Sequence, residues 1–209
     1  MDRSDQAEIS LSRVARRKVR TKQRLLDVAR QLFSEKGIYW AKVEDITEMA
    51  DLGKGTFYKY FDSKEAILRV LLEEGLDQLL LETERASEEI PGGPRRLSAI
   101  IGARVDYFLR HPDALLMFHQ IRGLMQLQVE VAKDLRSVYD RHLHRLAKLL
   151  EPSLRGVQSG GRARDLATAV AAYTSGLLTY HLLFEGVDQL RHRRDRLVQV
   201  LEQSVRALV

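Results

Sequence analysis

Apolar residues recur every three or four positions along most of the 209-residue chain, a period that builds helices. Strands would need alternating runs with turn dipeptides between them. Neither occurs, and only four prolines interrupt the pattern, so the predicted fold class is all-α. With 44% hydrophobic residues the chain can bury a core, which excludes general disorder. The absence of cysteine excludes disulfides, thiolate metal sites and a cysteine nucleophile, and suits a reducing cytoplasm. The longest charge-free stretch, Leu166 to Phe184, is broken by Thr168, Thr174, Ser175, Gly176, Thr179 and His181, so no membrane partner is expected. The N-terminus is polar where a signal peptide needs an apolar core, and a cytoplasmic location is expected.

A first helix is predicted from about Arg20 to Lys36, ended by Gly37 as a left-handed cap. Two very short helices follow, near 43–50 and 54–61. A long helix is expected over 63–87, with Asp62 and Glu65 spaced as a capping box. Residues 88–95, with Pro91, Gly92, Gly93 and Pro94, read as a loop. Helix returns at Leu97 to Leu109, is interrupted at His111-Pro112, and resumes in an apolar segment expected mid-bundle. A long helix to about Leu150, a connection at 151–161, and final helices over 164–185 and 188–208 complete the chain.

Charge is distributed unevenly. Residues 1–64 hold 14 Lys and Arg against 10 Asp and Glu, while the remaining 145 hold 20 against 19. Between Leu11 and Arg24 there are seven cations and no acid, the composition of a polyanion-binding arm. A solubilising tail is the alternative for that arm taken alone.

The two short helices weigh against that alternative. Helices of about eight residues joined by three are too short to stand alone and must be held by larger neighbours, as in a helix-turn-helix. Val43, Ile46 and Ala50 share one side of the first, and Leu52 is expected to be buried in the turn. In Lys54-Gly55-Thr56-Phe57-Tyr58-Lys59-Tyr60-Phe61, the spacing of Phe57 and Phe61 points both into a core. Lys54, Thr56, Tyr58 and Lys59 are left facing outward, a set of donors and aromatic edges suited to a major groove, with flanking donors on phosphates. Gly55 allows close approach to a duplex, and Lys64 adds a cation beside the amides of the next helix.

The run Glu44-Asp45-Ile46-Thr47-Glu48-Met49-Ala50, then 54–61, then Ser63-Lys64-Glu65, resembles the signature of the tetracycline-repressor (TetR/AcrR) family of transcriptional regulators. The likeness covers roughly residues 20–70. It implies an N-terminal three-helix DNA-binding domain, a C-terminal helical domain for ligand binding and dimerisation, and a homodimer on a palindromic operator in double-stranded DNA. The expected division is a basic arm at 1–19, a helix-turn-helix domain at 20–64 and a regulatory domain at 65–209. The family's contacts fall on Lys54, Gly55, Thr56, Tyr58 and Lys59 for groove and base edges, on Tyr60 and Lys64 for phosphate, on Lys42 and Val43 at the first short helix, and on Arg17, Arg20 and Thr21 from the arm. Three features depart from the pattern. Ala41-Lys42 replaces a common threonine, Gly53 replaces a serine cap, and Asp51 stands where glycine is frequent in the turn.

In the larger domain, apolar segments carry sparse polar groups, the composition of a small-molecule cavity. Its expected lining is Tyr107, Phe118, His119, Arg122, Met125, Tyr139, Tyr173, Leu177 and His181, with Arg122 as the partner of an anionic ligand group. A stripe of small residues, Ala167, Ala171, Thr174 and Leu178, beside the seam Leu197, Leu201 and Ser204, is expected to form the dimer interface. His181 and Glu185 are spaced to share a helix face, a pairing expected by chance, and neither a metal nor a cofactor is expected. Catalytic motifs are absent, so an enzyme is not expected; the rival readings are a constitutive polyanion-binding scaffold and, last, an all-α enzyme.

Overall fold

The computed structural model describes residues 13–126, 130–154 and 160–206. Most of the expected arm, much of the expected connection at 151–161, and Leu208 lie outside them. The described residues form α1 (Arg13–Lys36), α2 (Val43–Met49), α3 (Lys54–Phe57), α4 (Lys64–Ser87), α5 (Gly93–Arg110), α6 (Pro112–Leu124), α7 (Glu130–Leu150), α8 (Gly160–Glu185), α9 (Val187–His192) and α10 (Arg194–Val205). A one-turn 3-10 helix follows α7 at Glu151–Ser153. No strand occurs among the described residues. The chain divides into two compact units, Met1–Ile67 and Leu68–Val209, and the division falls inside α4, three residues beyond the expected boundary.

In the first unit, α1 begins seven residues before the expected Arg20, because residues 13–19 contain no glycine or proline and several good helix formers. The cations expected on an irregular arm therefore lie along a helix from Arg13 onward. Leu25, Leu26, Ala29, Leu32 and Phe33 form its buried side. Gly37, at φ +83°, ends it by donating its N–H to the Phe33 carbonyl at 3.1 Å.

The turn between α2 and α3 is a Schellman closure. Asp51 N–H reaches the Glu48 carbonyl at 3.0 Å and Leu52 N–H the Thr47 carbonyl at 2.9 Å. Asp51 has φ +53°, so it occupies the left-handed conformation in which glycine costs least. Leu52 is half-buried rather than buried. Regular α3 is only four residues long; beyond Phe57 the chain winds on through a mixture of one-turn bonds, including Tyr60 N–H to Phe57 O at 2.9 Å and Phe61 N–H to Phe57 O at 3.0 Å. Phe57 and Phe61 are buried as expected. The cap of α4 is Ser63, whose Oγ accepts from the Ala66 amide at 3.2 Å, rather than Asp62.

In the second unit, α5 starts at Gly93, because Pro94 fits the first turn of a helix; the expected loop shrinks to 88–92. Gly92 is required there: a Cβ would stand 2.3 Å from the Pro152 carbonyl oxygen. The guanidinium of Arg96 ties three helix ends together, donating to the carbonyls of Ser87, Ile90 and Leu149. The break at His111-Pro112 is as expected, and α6 buries Leu115, Met117, Phe118 and Ile121. Phe118 packs where Gly75 of α4 presents no side chain, and Tyr107 donates its hydroxyl to the Gly75 carbonyl at 3.1 Å. α8 packs against α5, α6, α7, α9 and α10. The predicted helix 188–208 is broken at Arg193, after which Arg194 makes a bidentate pair with Asp106 of α5, 2.8 Å for each bond.

His142 of α7 is buried beside Arg104 of α5 and bonds the Leu76 backbone. Burial, then the charges of Arg104 and Arg145, push its pKa down to about 3, so the native ring is neutral while the unfolded one titrates near 6.5. The folded value is the lower one, so this stabilisation is complete above about pH 6.5 and is lost progressively as pH falls toward 3. The expected loss at pH 5 is about 2 kcal/mol. Calorimetry should show Tm falling between pH 7.5 and 5, and His142→Gln should flatten that fall. A second expectation concerns the turn: Asp51→Gly should raise the stability of the first unit by about 1 kcal/mol, while Asp51→Val should lower it.

Candidate nucleic-acid interface

The first unit presents one continuous set of exposed donors. Lys54, Gly55, Tyr58 and Lys59 are exposed and Thr56 and Tyr60 are half-buried, while Phe57 anchors the same helix inward. Nothing lies within 4 Å of a Cβ built on Gly55, so the surface over it is open to another backbone. Beside it, Arg16, Arg17, Arg20, Thr21, Arg24 and Leu52 line a groove of about 470 Å³. Thr21 donates its hydroxyl to the Arg17 carbonyl at 2.9 Å, which leaves only its lone pairs for outside partners. Lys42 is exposed, and its backbone N–H is held by Asp45 Oδ2 at 3.0 Å; Val43 is half-buried.

Lys64 is placed differently from its expected role. Its ammonium donates to the carbonyls of Ile38 and Ala41 at 2.8 and 2.9 Å, with the Tyr39 carbonyl at 3.5 Å. Its N–H bonds are taken up in closing the α1–α2 connection, so the phosphate contact expected of it is corrected to a structural one. Two features escaped the sequence pattern. Glu44 of α2 pairs with Lys54 at 2.6 Å, and this hydrogen bond holds the Glu44 carboxyl below its ordinary range. Tyr39 and Trp40 stack edge-to-face at 5.1 Å while remaining largely exposed, Trp40 at 72%, next to Lys42.

The geometry is that of a recognition helix held by aromatic anchors and flanked by cations. Residues 25–71 match the family model of bacterial regulatory proteins of the tetR family. Over that stretch the chain is similar to the TetR family. The HTH-type transcriptional repressor DhaR of Mycobacterium sp. (strain GP1) is 29% identical over 152 residues, 72% of this chain and 74% of that protein. The HTH-type transcriptional regulator YerO of Bacillus subtilis (strain 168) is also 29% identical, over 98 residues that make up 46% of this chain and only 34% of that protein. The transcriptional regulator FadR from Bacillus subtilis, solved in complex with stearoyl-CoA, shares the fold with a TM-score of 0.69 at 19% identity, covering 87% of this chain and 98% of that one. The proteins it resembles are named as transcriptional regulators.

The residues expected to line one ligand cavity are dispersed in the second unit. Tyr107 and Phe118 are core residues around Gly75. His119 is exposed, Tyr173 is 48% exposed, and Leu177 is half-buried. His181 Nδ1 lies 3.1 Å from Glu185 Oε2. Among the described residues no third ligand joins that pair to hold a metal. Met125 and Tyr139 share a groove of about 1040 Å³ with Lys133, Arg136, Asp140 and Leu143. Among the described residues Arg122 has no carboxylate partner; its Nη1 donates to Ser175 Oγ at 2.6 Å, and its Nη2 is buried with no partner among them.

The expected dimer stripe is also corrected. Ala167, Ala171, Thr174, Leu178, Leu197 and Leu201 are all buried within the chain's own second unit, and Ser204, though exposed, spends its hydroxyl on the Val200 carbonyl at 2.8 Å. Small residues do permit close helix approach here, but the approaching helices belong to the same chain. The uncovered side of α8 is the other one, carrying Tyr173, Gly176, Tyr180, Leu183 and Phe184.

Two substitutions separate the roles of the lysines. Lys64→Met should lower stability by about 2 kcal/mol through unpaired carbonyls, with the salt dependence of DNA binding little changed. Lys59→Ala should leave Tm unchanged and lower the salt slope by about one unit. Glu44→Gln should release Lys54 and strengthen binding to random duplex. Fluorescence anisotropy over a salt series measures both slope and affinity.

Proposed function

We propose that this chain is a homodimeric transcriptional repressor of the cytoplasm, whose two recognition helices read a palindromic operator and whose larger domain binds a small lipophilic ligand that releases the DNA. The carrying observation is the exposed, cationic recognition face of α3 backed by Phe57 and Phe61. Base readout is assigned to Thr56, Tyr58 and the N-terminal Lys54, and backbone contacts to Arg17, Arg20, Lys42, Lys59 and Tyr60. The named repressor among its relatives supports repression, and the stearoyl-CoA complex of a similar fold supports an apolar ligand. DNA binding is assigned to residues up to about 64 and regulation to 65–209.

Dimerisation is assigned to the uncovered face of α8. Tyr180, Leu183 and Phe184 are 58%, 59% and 73% exposed, and Tyr180 and Phe184 stack with ring centroids 4.7 Å apart. A run of exposed aromatic and apolar residues without a charge is covered in most soluble proteins, and a twofold axis lets the same stripe cover itself. Ligand would act by its differential affinity for the dimer geometry that matches adjacent major grooves and the one that does not.

Selection from a random duplex pool should return a palindrome with half-site centres about one helical turn or a multiple apart. A pool enriched only for length or charge would favour the scaffold reading instead. Tyr180→Glu with Phe184→Lys should sediment as a monomer with unchanged helix content and lose tight operator binding. A variant still dimeric at micromolar concentration would put the interface elsewhere.

A further inference from the structure

Arg104 of α5 is 2% exposed, yet among the described residues no carboxylate pairs with it. Several surface arginines of the second unit are matched by acids: Arg110 by Glu82, Arg141 by Glu73, Arg145 by Asp77 and Arg194 by Asp106. Those pairs lie on the surface, where the charge needs a partner least. Among the described residues, Arg104 Nη1 is 3.5 Å from Nε2 of the neutral His142 ring, and its Nε is buried with no hydrogen-bond partner. Desolvation pushes its pKa down to about 10, which still leaves it charged at neutral pH.

A buried, protonated guanidinium without an anion is a binding site lacking its ligand more readily than a stabilising element, because its desolvation is uncompensated. The His142 ring, which Arg104 approaches, stands 6.4 Å from the ring of Tyr139, and Tyr139 lines the groove that Met125 and Leu143 make apolar and Lys133, Arg136 and Asp140 make charged. The sequence directs attention to Arg122, but that side chain has Ser175 for one of its donors.

We propose that Arg104 anchors the carboxylate of an amphiphilic acid whose apolar chain lies along the Tyr139 groove. Nε and Nη1 are the donors, and the half-buried Tyr139 turns aside to admit the headgroup. The inference rests on the ligand-responsive reading above and names the ligand's chemical class and its anchor. A planar guanidinium suits a carboxylate in particular, since two parallel N–H donors match its two oxygens.

The test uses the full-length protein with decanoate, methyl decanoate and acetate as probes. Decanoate should raise Tm, whereas methyl decanoate, which lacks the charge, and acetate, which lacks the chain, should not. Arg104→Met should hold or raise the Tm of the unliganded protein, because a buried unpaired charge is removed, and should abolish the decanoate shift. Arg104→Lys, which keeps a charge without the paired donors, should bind decanoate at least tenfold more weakly. The proposal is overturned if Arg104→Met loses unliganded stability and keeps the decanoate shift, or if Arg104→Lys binds decanoate as well as the wild type. It is equally overturned if decanoate fails to shift the wild type, or if acetate shifts it as much. Operator affinity in the same samples separates this from the regulatory reading. Decanoate held through Arg104 without any change in operator affinity rejects the switch and keeps the anchor, and operator release by methyl decanoate with an unaffected Arg104→Met rejects the anchor and keeps the switch.

Discussion

A recognition helix of four regular residues cannot hold its own shape, so everything its outer face does depends on what pins its inner face. Phe57 and Phe61 supply that pin, with their rings 5.8 Å apart and both buried. The approach of α2 is fixed by the Schellman closure through Asp51, and the far side of the unit by Lys64, whose ammonium gathers the carbonyls where α1 gives way to α2. A lysine that reads as a DNA contact in sequence thus does its work one layer down. It makes the surface possible instead of forming it.

The fold class and the helix-turn-helix were legible because both are written in local period and spacing. The pair Phe57 and Phe61, the glycine stop at Gly37 and the break at His111-Pro112 each depend on neighbours within four residues. Boundaries were less legible where a weak signal met a stronger one. Pro94 looks like a loop residue and serves as a helix opener, and the α9–α10 break follows from no proline or glycine at all. Arg194 reaching Asp106 across the unit is a tertiary contact, and no window of sequence contains it.

The expected dimer stripe shows how a correct pattern can point to a face that the chain itself covers. A helix with buried neighbours on several sides carries two stripes, one small and one bulky, and small residues mark close packing without saying whose helix approaches. In α8 the small side is satisfied by the chain itself. Bulk then becomes the informative signal, since Tyr180, Leu183 and Phe184 have no reason to be apolar if water is their only neighbour. The ligand residues failed for a related reason: Tyr107, Phe118 and His119 are close in sequence, but two face the core and one faces solvent.

Pairing, more than net charge, separates the two units. Arg16, Arg17, Lys18, Arg20 and Arg24 form no ion pair among the described residues and lie exposed along one helix, whereas Arg110, Arg141, Arg145 and Arg194 of the second unit are each matched by an acid. Surface ion pairs contribute little stability, so the matching on the second unit is better understood as cancelling its field. The unmatched row on α1 keeps its field, and that is the part of the electrostatics a phosphate backbone responds to at a distance. Glu44 adds a local contrast, holding Lys54 on the face proposed to meet the bases. An acid at that point weakens attraction to every duplex alike, while a base edge that replaces its hydrogen bond to Lys54 restores the loss only on the right sequence. On the proposed DNA contact, the ion pair trades general affinity for discrimination.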